Sequence, residues 1–451
     1  MNTSLPSDFT GRVFERLRLA NAAFNKLYPG DSPSRQPVHT VYGGAQIFKA
    51  DTARKLGAAA LKALQEFAPD PAAFAKALGM RGRASEHEVL FNRVVEKLER
   101  EPVEDYRIDF EDGYGNRSDA EEDGHAALCA REISRGMEAR TLPPFIGVRL
   151  KPFTEDLKAR SIRTLDIFIT NLIASSRGTL PDTFVVTLPK VTDPEHVTAL
   201  VDLLGVLESK NRLAPRSLKL EIMIETPQSI INRKGECAVP SLVAAGKGRC
   251  IAAHFGVYDY TASMNITAAY QSMDHPSCDF AREMMKVSLA GTGIWISDGA
   301  TNILPVGLHR RENSKSLSAK QEKENRDAVH RAWRVAFGHT MHSLQNGYYQ
   351  GWDLHPAQLP VRYAAVFSFF REGLDVMSHR LKTFVEKAAQ ATLIGDVMDD
   401  AATGQGLLNF FLRGIACGAI TEKEARGTGL TLDGIRSRSF AKILKMRRRT
   451  D

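Results

Sequence analysis

The stretch that most constrains this chain is Leu218–Pro227, LKLEIMIETP, an apolar run cut short by a carboxylate and a proline. Leu220, Ile222, Met223 and Ile224 read as a buried parallel strand, and Pro227, which cannot donate to a sheet ladder, marks where it stops. Glu225 therefore stands at the strand's C-terminal end. The pattern returns in CIAAHFGVYDY, Cys250–Tyr260, where an apolar run closes on Gly256 and then presents Asp259. Two carboxylates at the same end of neighbouring parallel strands converge on one point, and hard oxygen ligands suit magnesium or manganese better than zinc or copper. Glu225 and Asp259 are read as a metal pair, against the alternative that each is a surface acid capping a nearby helix.

Further strands are expected at Val38–Tyr42, Tyr106–Phe110, Phe145–Leu150, Phe184–Leu188, Gly293–Ser297 and Tyr349–Leu354, with helical periodicity between them. Strands alternating with helices, with polar groups gathered after the strands, form the pattern of an α/β (β/α)8 TIM barrel, whose sites lie at the C-terminal face. Residues 1–37 are expected to form an N-terminal helical extension, patterned over Phe14–Leu27, and residues 38–360 the barrel. Residues 361–451 are expected to form a C-terminal helical region, with one long helix over Ala364–Ala389 and another over Gly404–Cys417. Helix starts are signalled by Ser85 with Glu88, by Ser118 with Glu121, and by Asp193 followed by Pro194.

The strand ends carry the chemistry. The second strand runs into Glu111 and Asp112, close behind Asp109, and like charges packed so tightly repel unless cations or protons intervene. Arg149 ends the third strand, where a guanidinium either grips a carboxylate substrate or pairs with that acidic cluster. Lys190 follows the fourth strand in a short ordered loop, favoured as a cation for the acids over a Schiff-base lysine or a solvated residue. Gly43 and Gly44 allow either a tight turn or close approach of a ligand. His254, inside an apolar run, reads as a hydrogen-bonded core histidine.

Hydrophobic residues at 43% and charged residues at 25% supply an ordinary packed core, and 451 residues accommodate a barrel of about 250 with long insertions. The net charge of +7 is dispersed, apart from Lys442–Arg449, a solvated helix end without the aromatic interleaving of a nucleic-acid site. The five cysteines have neither CxxC nor metal-finger spacing and read as reduced core thiols. No apolar run reaches membrane-spanning length. The expectation is a soluble cytoplasmic protein with no nucleic-acid or membrane partner.

Several stretches together resemble the citrate lyase β-subunit family, the HpcH/HpaI-type aldolases of the phosphoenolpyruvate/pyruvate barrel superfamily. They are RIDFEDGYG, GVRLKPF, VVTLPKV, IMIETPQSI, HFGVYDYTASM, DGA and GWDLHPAQ, in the family's order between Val38 and Gln358. The resemblance implies magnesium (or manganese) on Glu225 and Asp259. It implies that Arg149 holds a carboxylate or enolate oxygen of a 2-oxo acid, and that Glu111 and Asp112 bond metal-bound waters or neighbouring cations. Lys190 and Gly256 would line the substrate site, and His355 and Gln358 would belong to the closing strand. It also implies a homo-oligomer, a trimer or hexamer. In some relatives a C-terminal segment of a neighbouring subunit supplies an acid, and Asp396, Asp399 and Asp400 lie in that region. The opening VHTVYGG lacks the arginine of the family's acyl-CoA lyases, which leaves an acyl-CoA partner open.

Such a site supports reversible carbon–carbon cleavage beside a 2-oxo acid, namely pyruvate, oxaloacetate or glyoxylate, with the charge on an enolate oxygen stabilised by the metal and Arg149. Metal-bound hydroxide, His39 or one of the acids serves as base. The preferred reading is therefore a magnesium-dependent lyase or aldolase. Its alternatives are a malate-synthase-like acyl-CoA condensing transferase, an imine-forming aldolase using Lys190, and a non-catalytic metabolite-binding barrel.

Overall fold

The computed structural model describes residues 4–30, 32, 34–310, 316–387, 392–394, 397–399, 401–436 and 443. Eight strands, β1 (His39–Gly44), β2 (Asp105–Asp109), β3 (Phe145–Arg149), β4 (Phe184–Leu188), β5 (Lys219–Ile224), β6 (Cys250–Phe255), β7 (Trp295–Ser297) and β8 (Gly351–Asp353), pair in parallel in the order β7-β6-β5-β4-β3-β2-β1-β8. The ring closes between β7 and β8 through a parallel bridge of Ala300 with Trp352, where the Trp352 amide donates to the Gly299 carbonyl at 2.9 Å. This is a TIM barrel, and the expected strands lie within about two residues of the observed ones.

Helices fill the crossovers: α1 (Ser7–Leu27) precedes the barrel, then α2 (Thr52–Phe67), α3 (Pro71–Leu78), α4 (Ala84–Arg100), α5 (Asp119–Ala139), α6 (Lys158–Ser175) and α7 (Pro194–Lys210). Short α8 (Pro227–Ile230), α9 (Val239–Ala245) and α10 (Val257–Ser263) flank β6, and α11 (Pro276–Leu289) and α12 (Ala319–Gln345) flank β7. Ser118 caps α5, accepting from the Glu121 amide at 3.3 Å, and Asp193 caps α7 ahead of Pro194, as the sequence signals. Helix α4 starts a residue before Ser85. Its first turn is closed by Glu86 reaching back to the Arg83 amide at 3.0 Å, so the Ser85–Glu88 box does not form. Helix α3 was not anticipated, although Asp70, Pro71 and the left-handed Gly79 (φ 73°) are its ordinary start and stop signals.

The C-terminal region departs further from expectation. The single helix over Ala364–Ala389 is two, α13 (Leu359–Arg371) and α14 (Leu374–Glu386), broken where Gly373 adopts φ 73°. A two-stranded antiparallel ribbon, β9 (Thr392–Ile394) and β10 (Val397–Asp399), stands where only helix was expected, followed by α15 (Ala401–Ala416), α16 (Glu422–Ala425) and α17 (Leu432–Arg436). Asp396, Asp400 and the basic stretch Lys442–Arg449, Ile443 apart, lie outside the described residues, and of Asp399 only the strand position is described. Among the described residues no helix is long and apolar enough to cross a membrane. Each of the five cysteines is free, and Cys129, Cys250, Cys278 and Cys417 are buried.

The barrel interior is charged. Residues of β2 alternate inward and outward, so Asp105, Arg107 and Asp109 share the inner face while Tyr106 and Ile108 pack outside. Arg107 donates Nε and Nη2 to Glu221 of β5 at 2.7 and 2.8 Å and also pairs with Asp105. His254 of β6 lies 3.1 Å from Glu221 and accepts from Trp352 Nε1 at 3.2 Å, the core role expected of it. Burial works against the charge on Glu221, but Arg107 and His254 outweigh it and hold its carboxyl well below the ordinary range.

Candidate active site at the C-terminal ends of the strands

Above that charged layer, the strand ends bring the expected residues together. Arg149, at the end of β3, donates Nε and Nη2 to Asp109 Oδ1 and Oδ2 at 2.7 and 2.6 Å, and its guanidinium lies over the Tyr42 ring at 4.7 Å. Asp109 in turn accepts from the amides of Glu111 (3.0 Å) and Gly113 (2.7 Å), which shapes the turn after β2. Burial opposes the charge on Asp109, but Arg149 outweighs it and holds the carboxyl below its usual value. The fork of Arg149 is thus occupied by Asp109, and its remaining nitrogen, Nη1, faces Glu111 Oε2 at 3.0 Å. Of the two roles read for Arg149, pairing with the acidic cluster is the one seen directly; Nη1 is the edge turned toward the site.

Lys190 occupies the centre. Its backbone is left-handed (φ 49°), a conformation a non-glycine residue adopts at a cost, and this turns its amide onto Glu225 Oε1 at 2.6 Å. Its ammonium group pairs with Glu111 at 2.5 Å and lies 3.4 Å from Asp259 and 3.7 Å from Asp112. Glu111, Asp112 and Asp259 therefore surround one cation, and Glu225 holds the same residue by its backbone amide. Burial opposes the ammonium charge, but Glu111 and Glu225 more than compensate and raise its pKa. Asp259 sits in the first turn of α10, reached through Gly256 as N-cap.

The acids outnumber their partners. Burial first, then repulsion by Glu111 and Asp259, pushes the Glu225 carboxyl up to about 8, and burial takes Glu111 to about 6 against the pull of Arg149 and Lys190. Glu111 Oε2 is buried, with Arg149 Nη1 as its ion-pair partner at 3.0 Å. A hard divalent cation fits this set of oxygen donors, whose surplus negative charge raises the Glu225 carboxyl. Among the described residues no three His, Cys, Asp or Glu side chains gather closely enough to hold a metal unaided. A cation on Glu225 and Asp259 would complete its shell with water and substrate oxygens, as magnesium commonly does.

Gly256 is a steric necessity. A Cβ there would fall 2.4 Å from Glu225 Oε2 and 2.5 Å from Glu225 Cβ, while its φ of −100° suits any residue. Gly256→Ala is therefore expected to displace Glu225 and weaken magnesium binding by about 10–100-fold, by analogy with other disturbances of ligand orientation. Calorimetric titration with unchanged affinity would show that Glu225 can give way.

Other expected residues play structural parts. His39 is fully buried at the first residue of β1, accepting from the Glu104 amide at 3.0 Å and facing Asp353 at 2.9 Å, which removes it as a base. Gly43 and Gly44 serve strand packing: a Cβ at Gly43 would meet the Tyr106 ring, and one at Gly44 the Gly113 carbonyl at 2.2 Å. His355 caps the turn after β8, and Gln358 ties it to β7's loop by donating to the Thr301 carbonyl at 2.9 Å. Asp298 of the DGA stretch is buried against Arg282 and Ser343. Tyr42, whose ring lies under the Arg149 guanidinium, was not singled out, and Asp109 was named only as part of the acidic cluster and not as the partner that fixes Arg149.

Residues 17–443 match the model of a family described as Domain of unknown function (DUF6986). No curated protein matches the chain in sequence. Among solved structures, a citrate lyase from Burkholderia xenovorans LB400 shares the fold at 17% identity and TM-score 0.57, over 88% of this chain and 97% of that one. The Mycobacterium tuberculosis protein CitE, in complex with magnesium, acetoacetate and coenzyme A, aligns at 14% identity and TM-score 0.48, over 86% of this chain and 100% of that one. A Haloferax volcanii malate synthase aligns at 13% identity and TM-score 0.45, over 91% and 97%.

Proposed function

The chain belongs to the DUF6986 family, and from its site we propose a magnesium-dependent carbon–carbon lyase or aldolase that cleaves or forms adducts of a 2-oxo acid through an enolate. The observation that carries this reading is the ring of Glu111, Asp112, Glu225 and Asp259 around Lys190, at the mouth of a barrel and beside a buried arginine. The fold shared with the Burkholderia citrate lyase agrees with it. In this reading residues 38–360 are the catalytic barrel of a cytoplasmic homo-oligomer, flanked by extensions 1–37 and 361–451.

Glu225 and Asp259 would hold the cation; when bound, it supplies Lewis-acid polarisation of the 2-oxo and carboxylate oxygens. Arg149, locked by Asp109 and Tyr42, turns Nη1 toward the oxygen on which charge develops, a preorganised donor in a dry setting. Lys190 adds a second positive charge. Glu111, with its pKa near 6, is suited to take and return a proton around neutral pH. Gly256 lets the backbone approach Glu225 without a side chain between them. The imine alternative fares worse, because the acids around Lys190 keep its amine protonated and so not nucleophilic.

Proton NMR of pyruvate and oxaloacetate in deuterated buffer is the test. Deuterium is expected to enter the pyruvate methyl with magnesium and to stop on chelation. Exchange that survives chelation would restore the imine route, and no exchange with either acid would overturn the proposal.

A further inference from the structure

Helix α1 is a long amphipathic element whose apolar stripe none of the described residues buries. None of its residues is buried, yet Phe9, Val13, Leu17, Phe24 and Leu27 recur at spacings that put them on one stripe. Phe9, Phe14, Leu17, Phe24 and Leu27 are 49–68% exposed. The opposite face carries the ion pairs of Arg12 with Asp8 at 3.2 Å and of Arg18 with Glu15 at 2.6 Å. Those side chains leave roughly 600 Å² of apolar surface, at the upper end of the largest patch that a monomer usually exposes.

A second exposed apolar surface lies on the same chain. On α11, Phe280 and Val287, a helical heptad apart, are 52% and 76% exposed, and Tyr270 nearby in sequence is 71% exposed. Phe280 also borders a groove of about 400 Å³ lined by Pro227, Ile230, Ile231, Tyr260 and Met264. The two surfaces are tethered at one corner. Past the end of α1, the Gly30 amide donates to the Gly291 carbonyl at 2.8 Å, just beyond the end of α11.

We propose that α1 is an association arm, whose apolar stripe packs on the Phe280–Val287 face of α11 in a second copy of this chain while the second copy's α1 returns the contact. A two-fold arrangement uses each surface once per chain. The two patches together supply on the order of 1,000 Å² per partner, against the ~800 Å² of a standard interface. Arginines on the polar face are partly neutralised by Asp8 and Glu15, which fits a protein partner better than an anionic bilayer.

Sedimentation of the full chain over a wide concentration range tests this. The wild type is expected as a dimer or a larger assembly built from dimers. Leu17→Glu with Phe24→Glu on the arm, and separately Val287→Glu on α11, are each expected to lower the assembly by this contact with unchanged far-ultraviolet circular dichroism. A monomeric wild type overturns the proposal, as does an assembly indifferent to both sets of changes. A monomer that floats with anionic phosphatidylserine vesicles overturns it in favour of a membrane arm.

Discussion

Glu225→Gln is expected to abolish magnesium-dependent exchange into pyruvate, by at least ~10³-fold, while the fold survives. The isosteric amide keeps the acceptor for the Lys190 amide but removes the charge that would bind a cation. Stability supplies an independent readout. The Glu225 carboxyl is pushed up to about 8, above the value it has in an unfolded chain, so the folded state holds a proton that unfolding releases. Stability without metal therefore falls as pH rises through the window up to about 8, because the unfolded state binds fewer protons there. Magnesium should offset that loss by favouring the ionised form. In Glu225→Gln the loss and the response to magnesium should both shrink. Thermal melts in chelator at about pH 6 and about pH 8.5 measure this, and a variant with the wild-type slope would show that Glu225 is not the strained group.

Arg149→Met is expected to have the largest structural effect, because it leaves Asp109 and Glu111 buried without their main cation. Breaking one side of such a buried pair typically costs about 3–5 kcal/mol. Exchange activity should vanish with it. A second variant separates the two consequences: Arg149→Met with Asp109→Asn removes both charges and should recover most of the thermal stability but none of the exchange. Recovery of exchange in the double variant would place Arg149 outside the chemistry. Failure of both variants to differ in stability would mean that the Asp109 pairing is not what anchors the guanidinium.

Much of the site was legible because strand ends announce themselves. Pro227 after Glu225, Gly256 before Asp259 and the Asp193-Pro194 cap after Lys190 are local signals, set by which residues can donate to a ladder or begin a helix. The charged interior was less visible. Asp105, Arg107 and Asp109 alternate with Tyr106 and Ile108, a period-two signal inside a strand otherwise taken as ordinary. The break at Gly373 was missed because helical composition runs on both sides of it, whereas the ribbon β9–β10 carries its own signal, Thr392, Ile394 and Val397 about a Gly-Asp pair, which went unread.

The sequence by itself determined the order of the eight barrel strands, the carboxylates at their ends and the amphipathic pattern in residues 14–27, since these depend on neighbours a few positions apart. Only the tertiary structure decided which charges meet. Glu111 and Lys190 are brought together by the parallel pairing of β2, β3 and β4, and the competition between burial and Coulomb attraction then separates Glu225, pushed up to about 8, from Asp109, held down by Arg149. The solitary position of α1 is likewise a tertiary fact. Its apolar stripe resembles that of any buried helix, and only the packed chain shows that none of the described residues buries that stripe.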